Sequence, residues 1–369
     1  MSVLPARSRP ALMRVHYRDD LRLAPTRASK LRLVLLLAVV IAVPYQLSGS
    51  WLTVLDYAAV FAVGAIGLNL LTGYTGQISL GHAFFMGVGA YVAAEFGVQH
   101  DWPLLVYLPL AAVIGALVGG LIGPFALRLR GDYLAIITLG LVIIGEYVFD
   151  QWDSVTGGGA GVTTAAPVQV GPWNFASLEV FGRQFTREQG LFWLFAIILA
   201  IAALLAKNIV RSRPGRAMQS VRDRDLAAEV VGVSQFRYKV GAFAISSGFA
   251  AVGGAMYAVL QQYVSPSEWS LLLSIQFVAI IIIGGMGTIF GSILGALVVL
   301  STPELIKRYS DHIPGVIPAN GGDGVISAAS LNNLLYGVLI VLFLVVQPLG
   351  LAALWLRIKA YFKAWPFSS

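Results

Sequence analysis

The sequence contains no cysteine. That excludes disulfides and thiolate metal sites and leaves every redox compartment open. Charge is also scarce: 12% of residues are Asp, Glu, Lys or Arg, where soluble domains carry about 25%. The four histidines, His16, His82, His100 and His312, are scattered and form no local ligand pair. No lysine follows a glycine spacing suited to a P-loop, and neither HExxH nor GxSxG occurs. The residues therefore point to no cofactor and give little to a nucleotide hydrolase, a metalloenzyme or a serine hydrolase. Thr156–Gly161, TGGGAG, could mimic a phosphate cradle, but no basic residue follows it closely, and it reads as a flexible turn.

What the chain has instead is apolar length. Hydrophobic residues make up 57% of it, in recurrent runs of roughly 20 residues. The expected fold is an all-α polytopic membrane protein of about ten transmembrane helices, some of them Gly-broken. A basic tail, 1–32, precedes a membrane body over 33–350, and a second tail covers 351–369. The expected spans are Leu33–Leu47 (retained as a first span), Leu52–Leu71, Gly73–Ala94, Leu104–Leu127, Tyr133–Asp150, Gly190–Val210, Val240–Tyr263, two within Ser270–Leu300, and Leu331–Gln347. Gly73–Ala94 is interrupted by five glycines. Ser270–Leu300 exceeds one ordinary helix, and Gly284-Gly285-Met286-Gly287 in its middle reads as a tight turn or a helix break. Polar loops are expected at 151–189, with a hairpin around Gly182–Arg183, and at 301–330.

The net charge of +7 follows the positive-inside bias and needs no nucleic-acid partner. The regions assigned to the cytosol hold 21 Lys/Arg and the outside loops hold four. That asymmetry places both termini and the island 211–239 in the cytosol. The island contains ten of the 43 charged residues and cannot sit in lipid. Asp223 or Asp225 can cap a short helix there, and Gly232 can stop it. Leu226, Val230 and Val233 then share one face. A short helix with an exposed apolar face suggests docking into another protein's groove. The blander reading is a basic loop resting on anionic membrane lipid.

Ionisable residues within or near the spans are Asp56, Glu95, Glu146, Asp150 and His82. Headgroup solvation accounts for Asp56, Glu95 and Asp150 near span ends, whereas Glu146 and His82 lie deeper and could serve a pathway. Asn69, Gln77, Ser79 and Thr138 could offer neutral hydrogen bonds to a substrate or to another helix. Helix N-termini freed at the glycine breaks could offer N–H groups to a carboxylate. GYTGQI at Gly73–Ile78 resembles GGMGTI at Gly284–Ile289, a weak internal repeat. Paired Gly-interrupted segments often mark a permeation path, with Gly76, Gly284 and Gly287 as candidates; close helix packing is the alternative. A side chain at Gly76 or Gly287 is expected to harm transport more than one at Gly115.

Several of these motifs occur together and in order: GYTGQISLGHAFFMGVGAYVAA, TGGGAGV, GRAMQSVRDRDLAAEVVGVSQFRYK, VSPSEWSLLLSIQFVAIIIIGGMGTIFGSILGA and QPLGL. Over roughly Leu52–Leu351 the chain resembles the branched-chain amino acid ABC transporter permeases of the LivM type. The resemblance implies a bacterial inner-membrane permease subunit of an ATP-driven importer. Its implied partners are two ATP-binding cassette ATPase subunits, a LivH-like second permease and a periplasmic substrate-binding protein. It also implies that Arg216–Gly232, with Arg216, Arg222, Asp223, Leu226, Val230 and Gly232, is the segment meeting the ATPase. Urea and amide permeases look similar, so a permease of a urea or amide ABC importer is the alternative within this class. The basic tail and the insert Asp311–Ser327 are less typical. A rival from the residues alone is an ion-coupled secondary transporter with Glu146 or His82 as proton carrier; an intramembrane enzyme is weaker still.

The absence of native cysteine makes the topology directly testable. Single cysteines at Ser154, Ser177 and Ser327 should react with an impermeant maleimide from the periplasm. Cysteines at Ser8 and Ser234 should react only after the membrane is opened, and outside labelling of Ser234 would refute a cytosolic island.

Overall fold

The computed structural model describes residues 27–47, 49–126, 133–180, 183–309, 327–347 and 349–364. The Arg128–Arg130 turn, Gly182, most of the basic tail and all of the 311–327 insert except Ser327 lie outside these. The chain divides into two units, Met1–Ser48 and Gly49–Ser369. In the first, α1 (Arg27–Gln46) is a 20-residue helix with Pro44 in its last turn.

The second unit is a helical bundle around α2 (Gly49–Thr75). Its 27 residues reach about 40 Å at 1.5 Å each. Gly, Ala, Val and Leu cover every face of α2, and it is buried nearly all round, as such a helix must be. Against it packs α10 (Gln235–Gln261), rich in Ser, Ala and Gly, which also contacts α3 (His82–Val92) and α4 (Leu104–Ala126). Small residues let these backbones approach closely, which is how helices bind one another where lipid supplies no hydrophobic drive. A Cβ on Gly254 of α10 would run into the Met86 backbone, and one on Gly89 of α3 into that of Ala251.

The remaining elements surround this centre. They are α5 (Tyr133–Gln151), the short α6 (Asp153–Thr156), α7 (Arg187–Arg211), the pair α8 (Arg213–Asp223) and α9 (Asp225–Val230), α11 (Leu271–Gly284), α12 (Ile289–Tyr309), α13 (Ala328–Val346) and α14 (Gly350–Ala364). The 351–369 tail is thus helical as far as Ala364. Among the described residues, six helices are long and apolar enough to cross a membrane. These are α2, α4, α5, α7, α10 and α12; α1, α11 and α13 contain shorter apolar stretches.

Three points correct or extend the sequence reading. The second expected span does not stop at Leu71: α2 runs on to Thr75, and the next helix begins only at His82. Between them lies a non-helical stretch starting at Gly76, whose φ of +71° ends α2. From Ala93 to Gln99 the helix continues as a π-turn. The 156–161 stretch forms a glycine turn: Gly157, Gly158 and Gly161 take positive φ, and the hydroxyl of Thr156 bonds the Trp152 carbonyl at 2.8 Å. Just after them β1 (Val162–Thr163) pairs antiparallel with β6 (Tyr263–Val264). Finally, neither Asp223 nor Asp225 is the N-cap of α9. Arg224 holds that position without a side-chain cap bond, and the Asp225 carboxylate accepts instead from the Leu226 N–H at 2.8 Å.

The polar loop otherwise follows expectation. β2 (Gln169–Val170) pairs with β3 (Trp173–Asn174), and β4 (Glu179–Val180) pairs with β5 (Arg183–Gln184) as the anticipated hairpin. Thr186 then opens α7 through a reciprocal capping box with Gln189.

Candidate functional site

The C-terminus of α2, the Gly turn between α11 and α12, and the end of α8 meet at one junction. The last carbonyls of a helix lack intrahelical partners and carry the negative end of its dipole. At α2 the Thr72 carbonyl accepts from Gly76 N at 3.1 Å and that of Leu71 from Gln77 N at 3.3 Å. The Gly73 carbonyl is taken by the guanidinium of Arg222, whose Nη1 donates at 2.6 Å. A cation is the group a helix C-terminus favours. Asp223 holds the guanidinium from the other side, its Oδ1 accepting from Nε at 3.0 Å and lying 2.9 Å from Nη2.

Asn69 makes the second tie, one turn back on α2. Its Nδ2 donates to the Thr288 carbonyl and the Ser292 hydroxyl oxygen, both at 2.8 Å. Its Oδ1 accepts from the Gly287 N–H at 2.7 Å. Asn69 is buried, so these bonds replace hydration it cannot recover inside the bundle. Gly287 takes φ of +77°, and a Cβ there would lie 3.3 Å from Arg222 Nη1. A Cβ on Gly76 would lie 3.0 Å from Arg222 Cγ. The arginine therefore runs across one glycine turn and ends beside the other. Gly284 has a different place: it packs α11 onto α12 against Gly291 and Gly295.

Ser79, His82 and Thr138 form a second cluster at the start of α3. Thr138 Oγ1, on α5, accepts from the Leu80 N–H at 2.9 Å, and Ser79 Oγ from that of Gly81 at 3.2 Å. Ser274, on α11, accepts from the Ala83 N–H at 3.1 Å. The amides of Leu80, Gly81 and Ala83 are therefore already bonded. Such pairing is what lets irregular backbone exist at membrane depth. His82 is buried, with Nε2 2.8 Å from the Gly64 carbonyl and its ring edge-on to Phe277. That is the environment of a structural histidine. Glu146 stands apart, half-buried on α5 about two turns beyond Thr138. Gln77 is buried with both side-chain amide atoms unbonded among the described residues.

Asp56 was expected at a solvated span end; it is fully buried on α2, with neither oxygen hydrogen-bonded among the described residues. Glu95 is half-buried and Asp150 is exposed. At the bundle end opposite Arg222, Trp269, Tyr257, Tyr91 and Tyr57 pack edge-on or tilted, centroids 5.6–6.4 Å apart. Beside them burial pushes the Glu268 carboxyl upward.

The charged island forms α8 and α9. Ser212 caps α8, and Met218 and Val221 anchor its inner face. Arg216 Nη1 donates to the Arg211 carbonyl at 2.7 Å. α9 ends as expected at Gly232, with φ of +87°. The Val233 N–H bonds the Ala228 carbonyl and the Gly232 N–H that of Glu229, a Schellman closure. Leu226 and Val230 are 74% and 88% exposed, and Val233 is half-buried. Val231, 76% exposed, extends the apolar surface and was missed, because it is the C-cap and lies off the helical spacing.

The junction predicts a graded response to bulk. Gly76→Leu and Gly287→Leu force a side chain into positive φ, at about 1–2 kcal/mol each, as well as against Arg222. Gly115 is no neutral control, since a Cβ there would lie 2.8 Å from the Ser247 carbonyl oxygen; Gly140 has nothing within 4 Å. At equal membrane abundance, both junction variants should lose at least about tenfold in uptake, while Gly140→Leu stays near the parent. Parent-level uptake in the Gly76 and Gly287 variants would remove the turns from the mechanism.

A family model described as the permease component of the branched-chain amino acid transport system matches residues 50–344. The high-affinity branched-chain amino acid permease protein LivM of Salmonella typhimurium is 31% identical over 301 residues, 78% of this chain and 71% of that protein. The permease protein LivH of Escherichia coli K12 is 26% identical over 275 residues, 69% of this chain and 85% of that one. A nucleoside ABC transporter permease protein, NupC of Lactococcus lactis, is 26% identical over 200 residues, covering 50% of this chain and 59% of its own. No solved structure matches. The helical bundle, the glycine turns and the charged helix pair thus belong to a chain of the branched-chain amino acid transport permease family, of the LivM type.

Proposed function

We propose that this chain is the permease subunit of an ATP-driven importer for branched-chain or related amino acids, working in a bacterial inner membrane. It crosses the membrane about ten times, with both termini and the α8–α9 pair in the cytosol. It performs no covalent chemistry. Two partner ATPases hydrolyse ATP, a LivH-like permease completes the path, and a periplasmic binding protein delivers the substrate. Closure of the ATPases moves the docking helices and switches the bundle between outward and inward access.

The observation that carries this reading is the state of α9. The helix is short, closed by a Schellman motif and tied to the start of α10 through Gln235, whose Nε2 donates to the Asp225 carbonyl at 3.0 Å. Yet Leu226, Val230 and Val231 face outward. A six-residue helix is not stable in water by itself, so its fixed shape comes from α8 and α10. A preformed apolar surface beside arginines fits a protein groove.

Each of these side chains should contribute about 1.5–3 kcal/mol when a partner buries it. Val230→Asp would leave a carboxylate unpaired in that groove, costing several kcal/mol, enough to dissociate a complex of moderate affinity. The permease should still insert normally, because the face is solvated when unpartnered. The expected pattern is loss of ATPase co-purification and of ATP hydrolysis stimulated by loaded binding protein. Full ATPase occupancy and normal uptake in Val230→Asp would show that the stripe is not the docking surface. Transport by the chain alone in liposomes under an ion gradient would favour the secondary-transporter reading.

A further inference from the structure

We propose that Arg222 is the positioning residue that joins the docking helices to both glycine turns, so that one movement of α8 acts on the two halves of the bundle together. The proposal rests on the reading of α8–α9 as an ATPase-docking pair. It adds the side chain through which the motion passes.

Three contacts carry it. The head of Arg222 bonds the Gly73 carbonyl at the end of α2. Its stem lies along Gly76, where α2 gives way to the break before α3. Its Nη1 also lies beside Gly287, whose own N–H is held by Asn69. Gly73–Ile78 and Gly284–Ile289 are the two segments that resemble each other in sequence. A single side chain on α8 thus touches the glycine turns of both.

The chemistry suits transmission better than adhesion. A charge-assisted bond to a helix-terminal carbonyl is strong but rests on one oxygen, so a small shift of α8 breaks or remakes it. Asp223 keeps the guanidinium aimed as it moves. Met218 and Val221, on the turn before, fix α8 to the bundle, so displacement at α9 pivots close to Arg222. Each turn has a glycine at positive φ, whose backbone torsions are not restricted by a side chain of its own.

The test compares Arg222→Gln with Arg222→Lys, in the purified full chain and in the assembled transporter. In the chain alone, amide hydrogen exchange reads the tie without any partner. Arg222→Gln should speed exchange at Gly76, Gln77 and Gly287 by about tenfold, the effect of one lost charge-assisted bond, with α5 unchanged. In the complex, Arg222→Gln should keep its ATPases but carry about tenfold less substrate per ATP hydrolysed. Arg222→Lys retains a cationic donor and should recover to within about threefold of the parent on both measures. Unchanged exchange at those amides would overturn the strut. So would a parent-like ratio of substrate to ATP, or loss of the ATPases from Arg222→Gln, which would make the residue part of the docking face. A parent chain that binds no ATPase would instead refute the proposed function, and the exchange result separates that failure from failure of the tie.

Discussion

Close backbone approach between α10 and the helices α2, α3 and α4 is the constraint on which the rest of this structure depends. Lipid is as apolar as leucine, so these helices gain little from merely hiding side chains. They gain from packing, and α10 achieves it with serine, alanine and glycine at the points of contact. The consequence is a stiff centre in which few side chains can rearrange. Movement in such a body has to be placed where the backbone is not helical.

Two such places in the described residues are the stretch from Gly76 to Gly81 and the turn at Gly285–Thr288. Both would be costly in a membrane unless their backbone groups were bonded. The structure supplies partners from elements distant in sequence. Thr138 and Ser274 serve the start of α3, Asn69 serves the turn before α12, and Arg222 serves the end of α2. Each of these polar residues has a structural duty that a search for substrate ligands would overlook. His82 belongs with them, since its ring is occupied by the Gly64 carbonyl.

This division also explains what could be read from the sequence. The bundle was legible because apolar length is a local property. The turn at Gly284–Gly287 and the charged island were legible because glycine runs and charge interrupt that length. The stop at Gly232 followed from one residue's freedom at positive φ. The junction was not legible. Arg222 and Gly73 are 149 positions apart, and Asn69 and Gly287 are 218 apart. Nothing at any of these positions names its partner. The start of α3 was misplaced for a related reason, because 73–94 carries no Asp, Glu, Lys or Arg and so hides a break that dihedral angles reveal. Asp56 was read as a solvated end residue, since sequence position does not show how deeply the aromatic end of the bundle is packed.

The two ends of the bundle are built on opposite principles, and that difference bears on direction. At the aromatic end, large rings of Tyr57, Tyr91, Tyr257 and Trp269 fill space around buried polar atoms. Rings of this size resist small displacements, since packing them again requires neighbouring side chains to move together. At the other end the contacts are single hydrogen bonds to carbonyls and amides at glycine turns. Those bonds can be exchanged one at a time, with little volume displaced. If α8 is displaced as proposed, the least resistance lies at Gly73, Gly76 and Gly287. A conformational change would begin there and reach the aromatic end through the rigid lengths of α2 and α10, which lie packed together along the centre of the bundle. An apolar helix pair of that length carries displacement from one face of a membrane to the other without any polar wire between them.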